Sequence, residues 1–359
     1  MGTTETKKMR VGVVGCGAIS DIYLTNMIHN FENLEVAACC AGHLEHAKKK
    51  AEQYGIKGCT YEEILADPSI EMVVILTPAP THEGLIRQAL EAGKHVYTEK
   101  TMTLAPETAA KLIGLAEEKH LYLGSAPDTF LGSALQTARK AIDDGLIGEV
   151  TSFEECANRD LDLLASIFRF LRMPGGGICY DFGVYYLTAI VSLFGPVDRV
   201  VSSVRNLAAK RVNIIPGSPE YGQEFDYTNE SQVFTILEMK NGVTGTFCVN
   251  GDSVINDQAV FTIYGKKGIL KLVDPNNFGG DVVYIPGVKD WTQQAVPEVL
   301  HYGFDVRAEA IAEGRPNRAS AKMAYHVLDT IDQIMKSAET GAFEKVPSTC
   351  ERPEAMPNS

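Results

Sequence analysis

The 359-residue chain has no apolar run of the ~18–20 residues that a bilayer crossing requires, so nothing in it reads as a membrane span. Basic residues are scarce: 33 Lys and Arg stand against 46 Asp and Glu, for a net charge of −13. An acidic surface repels phosphate backbones, which excludes nucleic acid as an expected partner. The opening MGTTETKKMR lacks the apolar stretch of a signal peptide. It fits the loose myristoylation pattern at Gly2, but no basic patch or second anchor accompanies it. None of the eight cysteines forms C-x-x-C, and no His/Cys cluster has zinc-ligand spacing. The expectation is therefore no metal, reduced and mostly buried thiols, and a cytoplasmic location. There is one tryptophan, Trp291, and no internal repeat. What remains is an ordinary globular composition, 45% hydrophobic and 22% charged, at a length that suggests two domains.

In the first third, short β-branched runs alternate with helical periodicity. Arg10 to Val14, Leu34 to Cys40, Glu71 to Leu76, Lys94 to Thr98 and Leu121 to Gly124 read as strands. Ala18 to Asn30, Ala47 to Tyr54, Tyr61 to Ala66, the stretch from Thr77-Pro78 to Leu90, and Pro106 to Lys119 read as the helices between them. Such alternation predicts a doubly wound parallel sheet.

Near residue 126 the pattern changes. Leu131 to Asp143 is one more helix, and Gly177 to Phe194 reads as a long apolar helix stopped by Gly195-Pro196. Strand-like segments then dominate: 150–157, 197–206, 232–240, 243–250, 259–264 and 269–273. Asn241-Gly242 and Gly265-Lys266-Lys267-Gly268 mark hairpin turns. A last helix spans about Ala319 to Glu339, and the tail after Pro347 reads as loosely ordered. The fold class is thus α/β: an N-terminal Rossmann doubly wound parallel sheet, then an α+β domain with a large, mostly antiparallel open sheet. The expected domains are 1–126, 127–345 and a tail, 346–359. Val233, Thr235 and Leu237 alternate with Phe234 and Ile236, so both sheet faces carry apolar residues. An apolar exposed face predicts a homo-oligomer formed through that sheet.

Gly15-Cys16-Gly17-Ala18-Ile19-Ser20 follows the first strand and opens the first helix, with Ser20 in the third position of the G-x-G-x-x-G fingerprint. At that place the turn lets the backbone approach a pyrophosphate, and the helix N-terminus supplies N–H groups. Gly15, Gly17, Ala18 and Ile19 are the expected contacts. The ribose-binding acid that should end the second strand is missing; the strand runs out into Ala41-Gly42-His43. Its loss removes both a 2′-OH acceptor and a repeller of a 2′-phosphate. Ala41 and His43 take its place, and NAD and NADP both stay open from the residues alone.

Three further stretches are TPAPTH (Thr77 to His82), TEKT (Thr98 to Thr101) and GGGICYDFGVYYL (Gly175 to Leu187). With GCGAIS and the order of the two domains, they make the chain resemble the Gfo/Idh/MocA oxidoreductases from about residue 9 to 340. The resemblance implies oxidation or reduction of sugars and polyols with a nicotinamide cofactor. It implies cofactor contacts at Thr77, Pro78, His82, Glu99 and Lys100, and a catalytic set of Lys100, Asp181 and Tyr185. Tyr185 stands where most of the family has His, a swap found within the family. Thr101 replaces a proline, which puts the local backbone in question, and Thr188 replaces the last Asp of the motif. More narrowly, the stretches from Ser125 to Gly148 and Gly175 to Val197 resemble a bacterial subgroup that oxidises the glucose C3 hydroxyl of plant glycosides, including enzymes that start C-glycoside (puerarin-type) cleavage. That likeness implies NAD(H) rather than NADP, with NADP and the tightness of cofactor binding left open.

The residue types suit the chemistry. A lysine ending a strand on the carboxyl edge of the sheet is placed to take the hydroxyl proton as hydride leaves. Four positions separate Asp181 from Tyr185, which puts them on one helix face. Asp128 and Thr129 either reach sugar hydroxyls or cap a helix. Asn158 and Arg159 either line a substrate lid, with the Phe168–Phe170 stretch, or belong to an ordinary surface loop. Trp291 either stacks on an aglycone or lies in a subunit interface. The leading expectation is a nicotinamide-dependent glycoside oxidoreductase giving a 3-oxo-glycoside. Two others stay open: a glycosidase or lyase of the same fold using transient C3 oxidation, and a non-catalytic sugar or dinucleotide sensor.

Overall fold

The computed structural model describes residues 8–254, 258–290, 292–302 and 317–357; Trp291 lies outside them. The described chain divides into two compact units. One holds the residues up to Ala126 together with 317–324; the other holds Pro127 to 302 and Tyr325 onward.

The first unit is a six-stranded sheet of β1 (Met9–Val14), β2 (Leu34–Cys40), β3 (Lys57–Gly58), β4 (Met72–Ile75), β5 (His95–Thr98) and β6 (Leu123–Ser125). All pairs are parallel and the order is β3-β2-β1-β4-β5-β6. Helices α1 (Ser20–His29), α2 (Leu44–Tyr54), α3 (Tyr61–Ala66), α4 (His82–Glu91) and α5 (Pro106–Glu118) supply the crossovers. Buried β-branched strand residues explain the sheet: Val11, Val13 and Val74 pack with Leu24 and Met27 of α1. The strand order reverses between β1 and β4, and ligands of such sheets bind outside the strand ends at that point. The expected bounds of β2 and α3 coincide with the observed ones. The helix expected from Ala18 begins at Ser20, because the glycine turn occupies the preceding residues.

The second unit opens with α6 (Ser133–Asp143), β7 (Val150–Asn158), α7 (Leu161–Ile167) and α8 (Val184–Phe194). Strands β8 (Val197–Arg205), β9 (Lys210–Val212), β10 (Glu224–Asp226), β11 (Gln232–Met239), β12 (Thr244–Asn250), β13 (Gln258–Gly265), β14 (Gly268–Leu272), β15 (Val282–Pro286) and β16 (Glu298–Leu300) follow. Helix α9 (Ala321–Thr340) and β17 (Glu344–Lys345) end the series. Nine strands form one sheet, β16-β15-β14-β13-β7-β12-β11-β8-β17, antiparallel everywhere except the parallel β7/β12 pair. The Asn241-Gly242 turn joins β11 to β12, with Gly242 at φ +90°. On one face Phe153 stacks on Phe194 of α8. On the other, Phe234, Ile236 and Val260 are 47%, 44% and 54% exposed.

Two expectations need correction here. The helix expected over Gly177 to Phe194 is a π-helical turn, Cys179–Gly183, running into α8. The tail expected to be loose is tied down. Arg139 Nη1 donates to Pro353 O, Arg352 pairs with Asp143, and Met356 N–H donates to Gln136 Oε1. Polar side chains of α6 supply partners that a composition-based reading of the tail does not see. Among the described residues no helix is long and apolar enough to cross a membrane.

Candidate active site

The first unit carries the nucleotide-binding features. Gly15 has φ +107°, and a Cβ there would lie 2.9 Å from the Leu76 backbone, so only glycine lets the loop after β1 pass the end of β4. Gly17 faces open space. Ser20 is buried, with its hydroxyl donating to Gly17 O at 2.6 Å. A hydroxyl at the third fingerprint position therefore closes the turn from inside. Ile19 heads α1 and makes no side-chain cap, and the Ser20 N–H donates to Gly17 O, so the glycine turn itself closes onto the first helical amide. At the end of β2, Ala41 leads to His43, which precedes α2 and stands edge-on to His46 with ring centroids 5.5 Å apart.

The loops after β4 and β5 meet through His82. The ring is fully buried. Its Nε2 lies 2.7 Å from Thr77 O, and its Nδ1 lies 2.8 Å from Thr101 O. Both ring nitrogens are thus committed to backbone, so this residue, expected to contact the cofactor, acts on it at most through the loops it joins. Thr77 and Pro78 form the neighbouring loop, where Thr81 Oγ1 donates to Pro78 O. Glu99 accepts from Tyr23 Oη of α1 at 2.6 Å and from the Lys100 N–H at 3.1 Å. The Lys100–Thr101 peptide bond, where proline is replaced, is cis. Lys100 thus stands at the carboxyl end of β5 on a backbone held from two sides.

In the second unit the glycine run has a packing cause. Gly175 takes φ +82°. A Cβ on Gly176 would overlap the Leu171 backbone, and one on Gly177 would overlap the Glu230 carboxylate. Glu230 Oε1 accepts from Cys179 N–H at 2.9 Å, and its own carbonyl accepts from Ile178 N–H. Glu230 therefore caps the turn that carries Asp181, and burial pushes its carboxyl pKa up. Gly183 completes the fit, since a Cβ there would lie 3.0 Å from the Phe247 ring. Asp181 is buried with its N–H on Gly177 O, and Tyr185 is half-buried one turn later. Thr188 is turned inward, its hydroxyl donating to Val184 O.

The other candidates separate. Arg159 is buried; its guanidinium pairs with Asp274 at 2.6 Å, donates to Tyr186 Oη, and lies over the Phe182 ring. Asn158 belongs to the alternate face of β7, where Asn250 Nδ2 donates to its Oδ1. Arg159 follows the last residue of β7 and is engaged by Asp274 and Tyr186, whereas Asn158 is engaged by Asn250. Asp128 heads the short turn Thr129–Leu131 without a side-chain cap bond, and Thr129 is buried. Glu230 and Tyr186 were missed by sequence reasoning. Tyr186 had only its place beside Tyr185 as a signal, and Glu230 had none, lying 51 residues from Cys179.

Comparison with known proteins adds to this geometry. Residues 9–126 match a model described as the oxidoreductase family, NAD-binding Rossmann fold, and residues 135–271 match the GFO/IDH/MocA C-terminal domain. The chain is similar to a dTDP-3,4-didehydro-2,6-dideoxy-alpha-D-glucose 3-reductase of Streptomyces violaceoruber, 27% identical with 94% of this chain and 98% of that one covered. It is similar to a scyllo-inositol 2-dehydrogenase (NADP(+)) of Bacillus subtilis, 24% identical with 94% and 96% covered. Among solved structures, a levoglucosan dehydrogenase in complex with NADH and levoglucosan superposes with a TM-score of 0.81 at 19% identity, covering 95% of this chain and 100% of that one.

Proposed function

The chain belongs to the GFO/IDH/MocA family of NAD-binding oxidoreductases, and we propose that it oxidises a secondary hydroxyl of a glycoside, at C3 of a glucosyl group, to a 3-oxo-glycoside. The observation that carries this reading is the turn Cys179–Gly183 and its continuation into α8. A buried, Glu230-capped backbone presents a carboxylate, Asp181, and a half-buried phenol, Tyr185, one turn apart. The relatives whose names specify a substrate include a hexose 3-reductase and an inositol dehydrogenase, which supports a polyhydroxylated ring as the substrate class.

The cofactor fits the residues present. Gly15, Gly17, Ala18 and Ile19 would hold the pyrophosphate, Ala41 and His43 the adenosine ribose, and Thr77, Pro78 and Glu99 the nicotinamide side. When bound, NAD supplies a hydride acceptor for the carbinol C–H. Lys100 takes the hydroxyl proton, while Tyr185 donates to the substrate oxygen and Asp181 orients neighbouring hydroxyls. The balance is one hydride and one proton lost from the alcohol, leaving a ketone. Asp128 and Thr129 are further proposed sugar contacts. The exposed Phe234, Ile236 and Val260 support a homo-oligomer through the open face of the sheet.

The test is absorbance at 340 nm on the purified protein with an aryl glucoside, first without and then with added NAD or NADP. A rise, with the new carbonyl located at C3 by NMR, supports the reading. No change with any glucoside, but a rise with free polyols, rejects the glycoside assignment.

A further inference from the structure

We propose that His82 is a positioning residue that locks the nicotinamide-side loop to the Lys100 loop, so that cofactor placement and the lysine amine are set by one ring. The inference rests on the reading of Lys100 as the proton-handling group.

β4 and β5 are parallel neighbours, paired from Met72↔His95 to Ile75↔Thr98. Their loops leave the same edge side by side, yet parallel pairing ends with the strands. Beyond it, Glu99 N–H still donates to Ile75 O, and Ala126 N–H reaches back to Thr98 O. His82, the first residue of α4, fills the next position: one nitrogen meets Thr77 O, and the other meets the carbonyl of Thr101, the residue bonded directly to Lys100. The ring thus replaces a ladder hydrogen bond where the backbones have diverged. Burial of the ring restricts its rotamer; the Thr101 contact is buried and the Thr77 contact partly so. Burial also pushes the imidazole pKa down, with the neighbouring charges opposed: Glu99 favours the cation and Lys100 disfavours it. Both partners are carbonyl acceptors, so a neutral ring donates to the one its tautomer selects and packs in contact with the other, while a protonated ring donates to both. No other side chain spans both acceptors with the same planar reach. Asn or Gln could serve one of them, and Phe neither.

Glu99 completes the arrangement on the opposite side. Its carboxylate joins Tyr23 of α1, the helix that starts at the glycine turn, to the Lys100 amide. The Lys100 backbone is therefore referred to the pyrophosphate turn by Glu99 and to the Thr77 loop by His82.

The experiment compares wild type, His82→Phe and His82→Gln by two readouts. Peptide-level mass spectrometry follows the acetylation rate of Lys100 with and without NADH. The Kd for NADH is measured by fluorescence on the same samples. In wild type, bound NADH should slow Lys100 acetylation at least about fivefold; in His82→Phe the protection should fall below about twofold, with Kd changed less than about threefold. His82→Gln should lie between. Where turnover is measurable, His82→Phe should lower kcat at least about tenfold and raise its primary deuterium isotope effect, because the hydride step loses alignment. Unchanged Lys100 protection in both variants overturns the proposal. So does loss of NADH binding in parallel with protection, which marks a purely structural histidine. Absence of sugar oxidation by wild type would reject the proposed reaction yet leave the acetylation result readable. If His82→Phe does not fold, His82→Gln decides alone: wild-type protection there overturns the proposal.

Discussion

The carboxylate of Glu230 occupies the space where a side chain on Gly177 would begin, and from there it accepts the Cys179 N–H. The two residues are one device: the glycine makes room and the glutamate satisfies an amide at the start of the turn that bears Asp181. Glu230→Ala should destabilise the protein by about 1–3 kcal/mol in urea unfolding, since a buried amide loses its acceptor. Glu230→Gln keeps an acceptor oxygen and should recover most of that loss. Gly177→Ala should be at least as damaging as Glu230→Ala, and equal stability of all three variants would refute the cap.

Arg159 and Asp274 are a buried ion pair behind Tyr186. Replacing Arg159 with Leu leaves Asp274 without its charge partner, and the loss should be about 3–5 kcal/mol by calorimetry or denaturant melts. The double replacement Arg159→Leu with Asp274→Leu should be milder than the sum of the single ones.

His326 gives a pH prediction. Val197 N–H donates to its Nε2, so the neutral ring carries its proton on Nδ1, facing Ser348 Oγ. Protonating Nε2 would break the Val197 bond. Burial pushes the pKa from 6.5 down to about 4. The folded state therefore binds fewer protons than the unfolded one between those values. This contribution to stability is whole above pH 6.5 and is lost as pH falls through about 4, about 3 kcal/mol in total. Urea melts from pH 7 to pH 4 should show that slope, and His326→Gln should flatten it.

At the end of β2 the missing acid leaves His43 beside His46. His43→Asp should shift the ratio of Kd values for NADP and NAD toward NAD by about tenfold or more, since a carboxylate accepts the ribose 2′-OH and repels a 2′-phosphate. Isothermal titration with both nucleotides checks it; an unchanged ratio would place ribose recognition elsewhere.

Local patterns made much of this legible. β2 was readable to the residue as a continuous apolar run and α3 as a short helical segment, whose start a Thr60–Glu63 capping box fixes in the structure. The Asn241-Gly242 hairpin was readable from its turn chemistry. The glycine run was visible, but its reason was not, because Glu230 reaches it from a distant strand entry. For Arg159 the sequence left a substrate lid and an ordinary surface loop equally open, because its partners Asp274 and Tyr186 come from far along the chain. The π turn escaped because apolar periodicity cannot distinguish five-residue from four-residue bonding over a single turn.

On the proposed reading Lys100 takes the hydroxyl proton as hydride leaves. The most direct test of that role is a single-turnover measurement of NADH formation at 340 nm with Lys100→Ala, alongside nucleotide binding by fluorescence. NADH affinity should stay close to wild type while the hydride-transfer rate falls by about a hundredfold or more. A wild-type rate with intact binding would remove Lys100 from the chemistry and contradict the account.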